Sequence, residues 1–271
     1  MSKVSAGMAL GLVLGLGAVS AGSALDMSFG GGGFFGSGFG GGIEGTLGGS
    51  MRLGSISGDM TLDPPYLGGG VYGFFDAEYA QVSVGYFIAG GAWKFDGKYS
   101  VSVLGMVINE GSYSEEMDAS FQVVNIGLLG KYPIALSGKF KLFPIAGVEY
   151  QLCLSGEYKF KEADGKEVVT KWDGKPADPS DPDSDKNPNA GDFNALWIKF
   201  GAGLDVGLTD KLFLRPELLY GIRFASKIEN DAVDDANALF EERAGGTGAK
   251  ADIKTRLGHG FMIKVGIGRK L

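Results

Sequence analysis

Two long segments in the second half of the sequence alternate strictly between two kinds of residue. Every even position of 196–208 is apolar, whereas the odd positions include charged residues such as Lys199 and Asp205. The segment 212–224 repeats the pattern, with Arg215 at one of its odd positions. A period of two is typical of a β-strand with two different faces. Both segments exceed the roughly 5–6 residues usual in globular strands, and they suit a membrane-crossing strand of about 9–11 residues.

The same pattern extends over most of the chain and predicts an all-β fold, a closed antiparallel transmembrane β-barrel with long outer loops. The predicted eight strands are 27–36, 66–75, 78–93, 117–132, 139–155, 193–208, 211–226 and 254–271. Short links fall at 76–77, 133–138 and 209–210, and long ones at 37–65, 94–116, 156–192 and 227–253. Short turns on one side and long loops on the other are typical of bacterial outer-membrane barrels.

Three details of the strand assignment are less constrained by the pattern. The segment 99–108 also has strand character, and we interpret it as an extension of the third strand or as a hairpin in the second loop. A ten-stranded barrel with a further strand inside 43–62 is the alternative to eight strands. Pro144 and Pro216 each follow a lysine by five residues. Because proline removes a donor from the hydrogen-bond ladder, we expect a β-bulge at both prolines.

The first 24 residues have the composition of a secretory signal peptide. Lys3 precedes an apolar stretch from Met8 to Val19, and small residues follow as far as Ala24. The apolar stretch is shorter than the roughly 20 residues that a spanning helix needs. The sequence therefore predicts a signal peptide over 1–24, with a retained helical anchor as the alternative. An outer-membrane β-barrel is predicted over 25–271, reached by export through the periplasm.

The two faces of the predicted strands indicate their environment. One face is too extensively apolar to stand in water, and the other carries charged residues and glycine, so lipid outside and a polar interior satisfy both. The residues predicted to form a network in the lumen are Lys141, Glu149, Lys199, Asp205, Arg215, Glu217, Arg223 and Lys264. An eight-stranded interior is just wide enough for its own side chains, so we expect these charges to pair in a plugged barrel. A narrow anion-preferring path is the alternative.

Composition excludes several other functions. The net charge of −7 argues against a nucleic-acid partner. The sequence has one cysteine, Cys153, and one histidine, His259, which are too few for a zinc site. No G-x-S-x-G motif accompanies His259, so the sequence predicts no enzyme, no cofactor and no metal site. Weak calcium binding at 181–192 is the alternative, although Lys186 stands where a calcium loop needs glycine.

The signal peptide, the turn asymmetry and the alternating last strand resemble the small bacterial outer-membrane barrels of the OmpX, OmpW and OmpA type. The segments GLLGKYP (127–133) and KLFP (141–144) are also similar to that family. The resemblance implies a non-enzymatic surface protein, as in OmpX-like proteins, or a channel for small or apolar molecules, as in OmpW-like proteins. It implies outer-membrane lipid and the barrel-assembly machinery as partners. Family barrels commonly end in an aromatic residue, whereas this sequence ends in Leu271.

The predicted outer loops are acidic. Loop 156–192 has ten acidic and six basic residues, and loop 227–253 has seven acidic and three basic residues, so each carries −4. Long polar loops favour contact with extracellular ligands. We therefore predict a surface-interaction protein of the outer membrane, used for adhesion or contact with a host or the environment.

Overall fold

The computed structural model describes residues 26–51, 54–161, 167–172, 190–244 and 250–271. Its strands are β1 (Met27–Gly40), β2 (Ile43–Met51), β3 (Gly54–Asp63), β4 (Tyr66–Ala77), β5 (Ala80–Val103), β6 (Met106–Lys131), β7 (Ile134–Ser137), β8 (Phe140–Lys161), β9 (Glu167–Trp172), β10 (Ala195–Gly207), β11 (Leu212–Arg223), β12 (Lys250–Thr255) and β13 (Gly258–Lys270). A helix, α1, spans Lys227–Ala244, and a 3₁₀ helix spans Ala190–Phe193. The predicted all-β, antiparallel class is confirmed. The predicted signal peptide and positions 173–189 of the acidic loop 156–192 lie outside the described residues.

Eight of the strands pair in a closed cycle. β1 pairs with β4, and the order continues through β5, β6, β8, β10 and β11 to β13. β13 pairs in turn with β1, from Ser28 opposite Lys270 to Gly40 opposite Gly258. Each strand of this ring lies within or overlaps one of the segments that alternation predicts. Because the cycle returns to its first strand, its paired residues have a neighbour on both sides.

The alternation of the sequence becomes an alternation between the outside and the inside of the ring. On β10, Ile198 is 43% exposed, whereas the next residue, Lys199, is 4% exposed. On β13, exposed Ile263 and Val265 flank buried Lys264. Large apolar side chains therefore cover the outward face, and charged, amide and aromatic side chains fill the inward face.

The sheet continues beyond the ring on the side of the long connections. β5 and β6 pair as far as Val103 and Met106, so 99–108 both extends the third predicted strand and turns back as a hairpin. β3 pairs with the outer half of β5, β2 with β3, and β12 with β2. Strands do lie inside 43–62, but they join this outer sheet and not the ring.

The β-bulges predicted at the two prolines are wrong. Pro144 and Pro216 both stay in register with their neighbours on β10 and β13. The β10–β11 ladder omits the position of Pro216, whose nitrogen has no hydrogen to donate, and resumes in the same register at Leu214. A register shift lies instead between Gln122 and Val123 of β6. The ladder thus tolerates the missing donor by losing pairs locally and not by inserting a residue.

A helix occupies part of a connection for which the sequence analysis predicts only a long loop. α1 follows Ser226, whose backbone N–H donates to the Glu229 carboxylate at 2.7 Å. This is half of a capping box, in which the residue three positions into the helix reaches back to the N-cap. The S-K-I-E sequence is therefore the signal that predicts the helix start. Within the described residues, no helix has both the length and the apolar character that a membrane-spanning helix needs.

Candidate functional site

A buried arginine joins several strands at the short-turn end of the ring. Arg215 of β11 donates from Nε and Nη2 to the two carboxylate oxygens of Asp205, at 2.6 and 2.8 Å. Its Nη1 donates to Asp76 of β4. Lys131 of β6 pairs with the same Asp76 carboxylate at 2.9 Å, and the Ser28 hydroxyl donates to it at 3.1 Å. Two cations thus balance two carboxylates, which makes their burial tolerable.

Aromatic rings enclose this arginine cluster. The Arg215 guanidinium carbon lies 4.5 Å from the ring centre of Phe74, 4.8 Å from that of Phe213 and 4.9 Å from that of Phe143. Lys131 Nζ lies 5.1 Å from the Phe143 ring centre. Aromatic faces attract cations through their quadrupole and exclude water from the ion pairs. The short-turn end of the interior is therefore packed and not open.

A second ion pair lies nearer the long-loop end of the interior. Lys199 of β10 pairs with Glu149 of β8, and both side chains are almost fully buried. Beside them, the Trp197 indole N–H donates to Gln151 Oε1 at 2.7 Å. A cavity of about 20 Å³ borders this pair, with Asn125 in its lining. That volume has room for about one water molecule.

Between the two clusters, Glu217 of β11 and Lys264 of β13 stand opposite each other in register. Both are 2% exposed. Lys264 Nζ lies 5.0 Å from the ring centre of Tyr72. In the part of the chain that the structure describes, neither carboxylate oxygen of Glu217 has a direct hydrogen-bond partner. The cations that act on the Glu217 carboxyl through space are Lys264 and Arg215.

Aromatic packing fills the interior above the arginine cluster. The Phe34 ring stacks on Phe87 at 5.4 Å and meets the edge of Tyr72 at 6.1 Å, centre to centre. Tyr66 packs edge-on against Trp197 at 6.4 Å. Rings from β1, β4, β5 and β10 thus meet across the interior. Such packing at the density of a protein core leaves little continuous free space.

The structure brings together most of the residues predicted for the lumen. Those buried inside the ring are Glu149, Lys199, Arg215, Glu217 and Lys264, and partly buried Asp205 contacts them. Lys141 instead pairs with Asp26 at 3.1 Å at the exposed short-turn end. Arg223 pairs with α1 at the other end. Neither of these two joins the interior network.

Asp76 is an interior residue that the predicted set for the lumen does not include. Tyr72, Phe74 and Asp76 occupy successive inward positions of β4, and all three are buried. Because 76–77 is predicted as a turn, the predicted strand ends at position 75 and leaves out the last inward-facing residue of β4. Extending the alternation by one step would have identified the partner of Arg215.

His259 lies on the outward face of β13. Its Nδ1 is 2.6 Å from the Tyr220 hydroxyl, and its ring stacks at 5.9 Å on Phe39. The Phe261 ring also packs against Tyr220, at 5.1 Å. An aromatic band of this kind is typical of a membrane–water boundary. The contacts that the structure describes for His259 are therefore with aromatic residues, and they do not build a Ser-His-acid arrangement.

A salt bridge fastens α1 to the end of β11. Arg223 donates from Nη1 and Nη2 to the two carboxylate oxygens of Glu229, at 3.0 and 2.7 Å. Burial by itself raises the pKa of the Glu229 carboxyl. The charge and hydrogen bonds of Arg223, with the hydrogen bonds of Ser226, outweigh burial and hold that pKa below its ordinary value. Glu229 therefore stays ionised at neutral pH and fixes the helix N-terminus.

Acidification is expected to release α1 from the ring. The folded pKa of Glu229 lies below its unfolded value of about 4.3. The salt bridge therefore contributes its full stability above about pH 4.3, and that stability is lost as pH falls through the folded pKa. We expect amide exchange at 228–232, corrected for intrinsic rates, to accelerate in this range while the ring stays protected. In Glu229→Gln, the same amides should exchange at neutral pH as fast as those of the unaltered chain do at low pH. An equal effect of Asp234→Asn, at an exposed position of α1, would contradict this assignment.

The fold and site define an all-β chain whose ring encloses its own charged network. No protein-family model and no curated protein matches the chain. Among solved structures, it is similar to the outer membrane protein OprG from Pseudomonas aeruginosa, with 11% identity, 89% of this chain and 96% of that chain covered, and a TM-score of 0.30.

Two further solved structures are similar to the chain. The attachment invasion locus protein Ail of Yersinia pestis matches with 9% identity, 91% and 100% coverage of the two chains, and a TM-score of 0.30. The outer membrane protease OmpT from Escherichia coli matches with 8% identity, 93% and 99% coverage, and a TM-score of 0.30. The predicted resemblance to small outer-membrane proteins is thereby confirmed.

Proposed function

We propose that the chain is an integral outer-membrane β-barrel of eight strands, without enzymatic activity or an open pore, which presents acidic loops to the cell exterior. The observation that carries this proposal is the closed cycle of strands with an apolar outward face. Closure satisfies the backbone groups that hydrocarbon leaves without partners. An apolar belt of this extent is also unfavourable in water. Outer-membrane lipid is then the surrounding medium, and the barrel-assembly machinery is the partner for insertion.

The filled interior supports a closed barrel in preference to the channel alternative. Ion pairs centred on Arg215 and Lys199 occupy two levels of the interior, and Glu217 with Lys264 lies between them. The cavity beside Lys199 has a volume of about 20 Å³. An ion or solute that crossed would have to displace buried, paired charges, which is costly.

The long-loop side supports contact with cationic ligands. Loops 156–192 and 227–253 each carry a net charge of −4. On α1, Asp231, Asp234 and Asp235 are exposed. A surface with one predominant sign of charge attracts oppositely charged partners and speeds their encounter. Extracellular basic peptides or surfaces are therefore the proposed ligand class, and nucleic acid is disfavoured by the same charge.

Cysteine labelling in intact cells tests the proposed architecture. In a Cys153→Ala background, Asp235→Cys places a thiol on α1, and Ser137→Cys places one at the short-turn end, where Ser137 is exposed. A membrane-impermeant maleimide is expected to modify only Asp235→Cys in intact cells and both variants after lysis. Equal labelling in intact cells, or recovery of the protein in the soluble fraction, would show that the proposal is wrong.

Conductance separates the closed barrel from a channel. The purified protein, inserted in planar bilayers, is expected to give no steady, reproducible unitary openings. Such openings with a fixed conductance would contradict the plugged interior and favour the channel alternative.

His259→Ala is expected to leave the composition of the surrounding lipids unchanged, because the proposed barrel has no catalytic site.

A further inference from the structure

The β5–β6 hairpin ends in an exposed apolar tip. At this tip, Leu104 is 71% exposed, Met106 66%, Val107 57% and Ile108 62%. The stretch 99–109 contains no Asp, Glu, Lys or Arg, and it lies between Lys98 and Glu110. Adjacent large apolar side chains in water are unfavourable, and such patches mark interaction sites.

The turn at the tip holds a residue that its backbone conformation disfavours. Leu104 and Gly105 both have positive φ, 52° and 78°, as the central residues of a tight two-residue hairpin turn do. Asparagine and glycine suit this conformation, whereas leucine is uncommon there. The chain therefore accepts local strain and also exposes the leucine side chain.

The tip is apolar on both faces of the hairpin. Val103 stands opposite Met106, and the adjacent pair is Ser102 opposite Val107. Because consecutive strand residues point to opposite faces, Met106 and Val107 project in opposite directions. The interior of a lipid bilayer covers apolar side chains on both faces at once, whereas a groove that contacts one face would leave those of the other face in water.

The tip stands well beyond the ring. Val103 lies ten residues after Trp93 along β5, or about 33 Å at about 3.3 Å per residue. With a strand tilt of about 45°, the tip rises roughly 23 Å above the level of Trp93. Gly54 of β3 stands opposite Val103 and so shares this level. The neighbouring stretch 45–58 has one charged residue, Arg52.

We propose that the β5–β6 tip inserts into the surface of an apposed lipid bilayer and forms a shallow contact between this cell surface and a second membrane. The inference rests on the proposed function, which places the long-loop side outside the cell. Zwitterionic lipid is the expected target, because the tip is uncharged and the loops around it are acidic. In the described residues, the outer half of β6 pairs only with β5. The other edge of this half of β6 therefore has backbone groups that hydrocarbon would leave without partners, so insertion is limited to the tip.

Liposome binding by the full chain in phosphatidylcholine nanodiscs tests this inference. The key variant is Leu104→Asn, because asparagine suits the turn and preserves or improves the hairpin. Co-flotation with phosphatidylcholine liposomes is expected to fall at least about tenfold, the scale of losing one buried leucine side chain. The matched control is Val169→Asn on β9, where Val169 is 43% exposed in another outer strand. This control should bind liposomes as the unaltered chain does.

A fluorescent probe at the tip identifies what covers it. A Leu104→Cys variant in the Cys153→Ala background, labelled with an environment-sensitive dye, should be quenched by liposomes with brominated acyl chains. Quenching that is equal for a Val169→Cys label would overturn the inference. A dye response to protein-bearing nanodiscs alone, rising with their concentration, would also overturn it and indicate a second copy as the occupant. The failure of this inference can be told apart from failure of the proposed function. If the maleimide modified only Asp235→Cys, and not Ser137→Cys, in intact cells, while Leu104→Asn bound liposomes as the unaltered chain does, this inference would be wrong and the proposed function would stand.

Discussion

Replacing Arg215 by methionine is expected to lower the free energy of unfolding by about 3 kcal/mol or more. The side chain is 1% exposed and pairs with both Asp76 and Asp205. Removing one partner of a buried ion pair leaves an uncompensated charge, which typically costs about 3–5 kcal/mol. Urea unfolding in phospholipid vesicles, followed by tryptophan fluorescence, measures the change.

The chain offers a matched control for Arg215→Met. Lys141 pairs with Asp26 at 3.1 Å, but both side chains are more than a third exposed. Lys141→Met is expected to change stability by less than about 1 kcal/mol, as is usual for surface ion pairs. Asp205→Asn added to Arg215→Met should recover part of the loss, because Lys131 still balances Asp76. Equal effects of Arg215→Met and Lys141→Met would show that the interior network does not stabilise the fold.

Gly32→Ala is expected to leave most molecules unfolded, because it lowers the free energy of unfolding by about 3 kcal/mol or more. A Cβ atom at position 32 would collide with the carbonyl oxygen of Val265 and lie 2.5 Å from the Cα of Gly266. Both atoms belong to the backbone of β13, so relief requires β1 and β13 to move apart. The folded fraction, measured by heat-modifiable migration on gels after refolding, reports the effect.

The adjacent glycine is the control for this prediction. At Gly33, the nearest atom to an added Cβ is the carbonyl oxygen of Gly70 at 3.7 Å, which is an ordinary contact. Gly33→Ala changes the same strand by the same methyl group and should refold as the unaltered chain does. If both variants refolded equally well, close approach of the two backbones would not explain the glycines of β1.

The strands of the ring could be predicted because each carries its own evidence. Alternation between Ile198 and Lys199, or between Ile263 and Lys264, is visible within a few residues and indicates both the strand and its faces. The outer extensions were less predictable. In β3, the sequence GSISGDMTLD has little of the large apolar alternation that marks a ring strand. Its pairing with β5 is decided by distant residues that a local pattern does not contain.

The candidate site was predictable to a similar extent. Alternation correctly suggested that Glu149, Lys199 and Arg215 share the inward side, but it could not say which of them pair. Arg215 and Asp76 are 139 positions apart in the chain. Their contact depends on the stagger of the strands around the ring, which links several pairings at once. The α1 start, by contrast, had a local signal in the capping sequence that follows Ser226.

The pairing of β1 with β13 has a consequence for how the chain is assembled. Gly30 meets Gly268 there, so the two strands that close the ring come from nearly opposite ends of the sequence. Contacts between such distant residues form slowly. Until they form, each of the two strands presents a free edge, and the run of glycines from 30 to 33 gives β1 few side chains with which to choose its neighbour. In the proposed insertion into a membrane, a factor that shields these edges is expected to bind the backbone of β1 or β13 and to dissociate last.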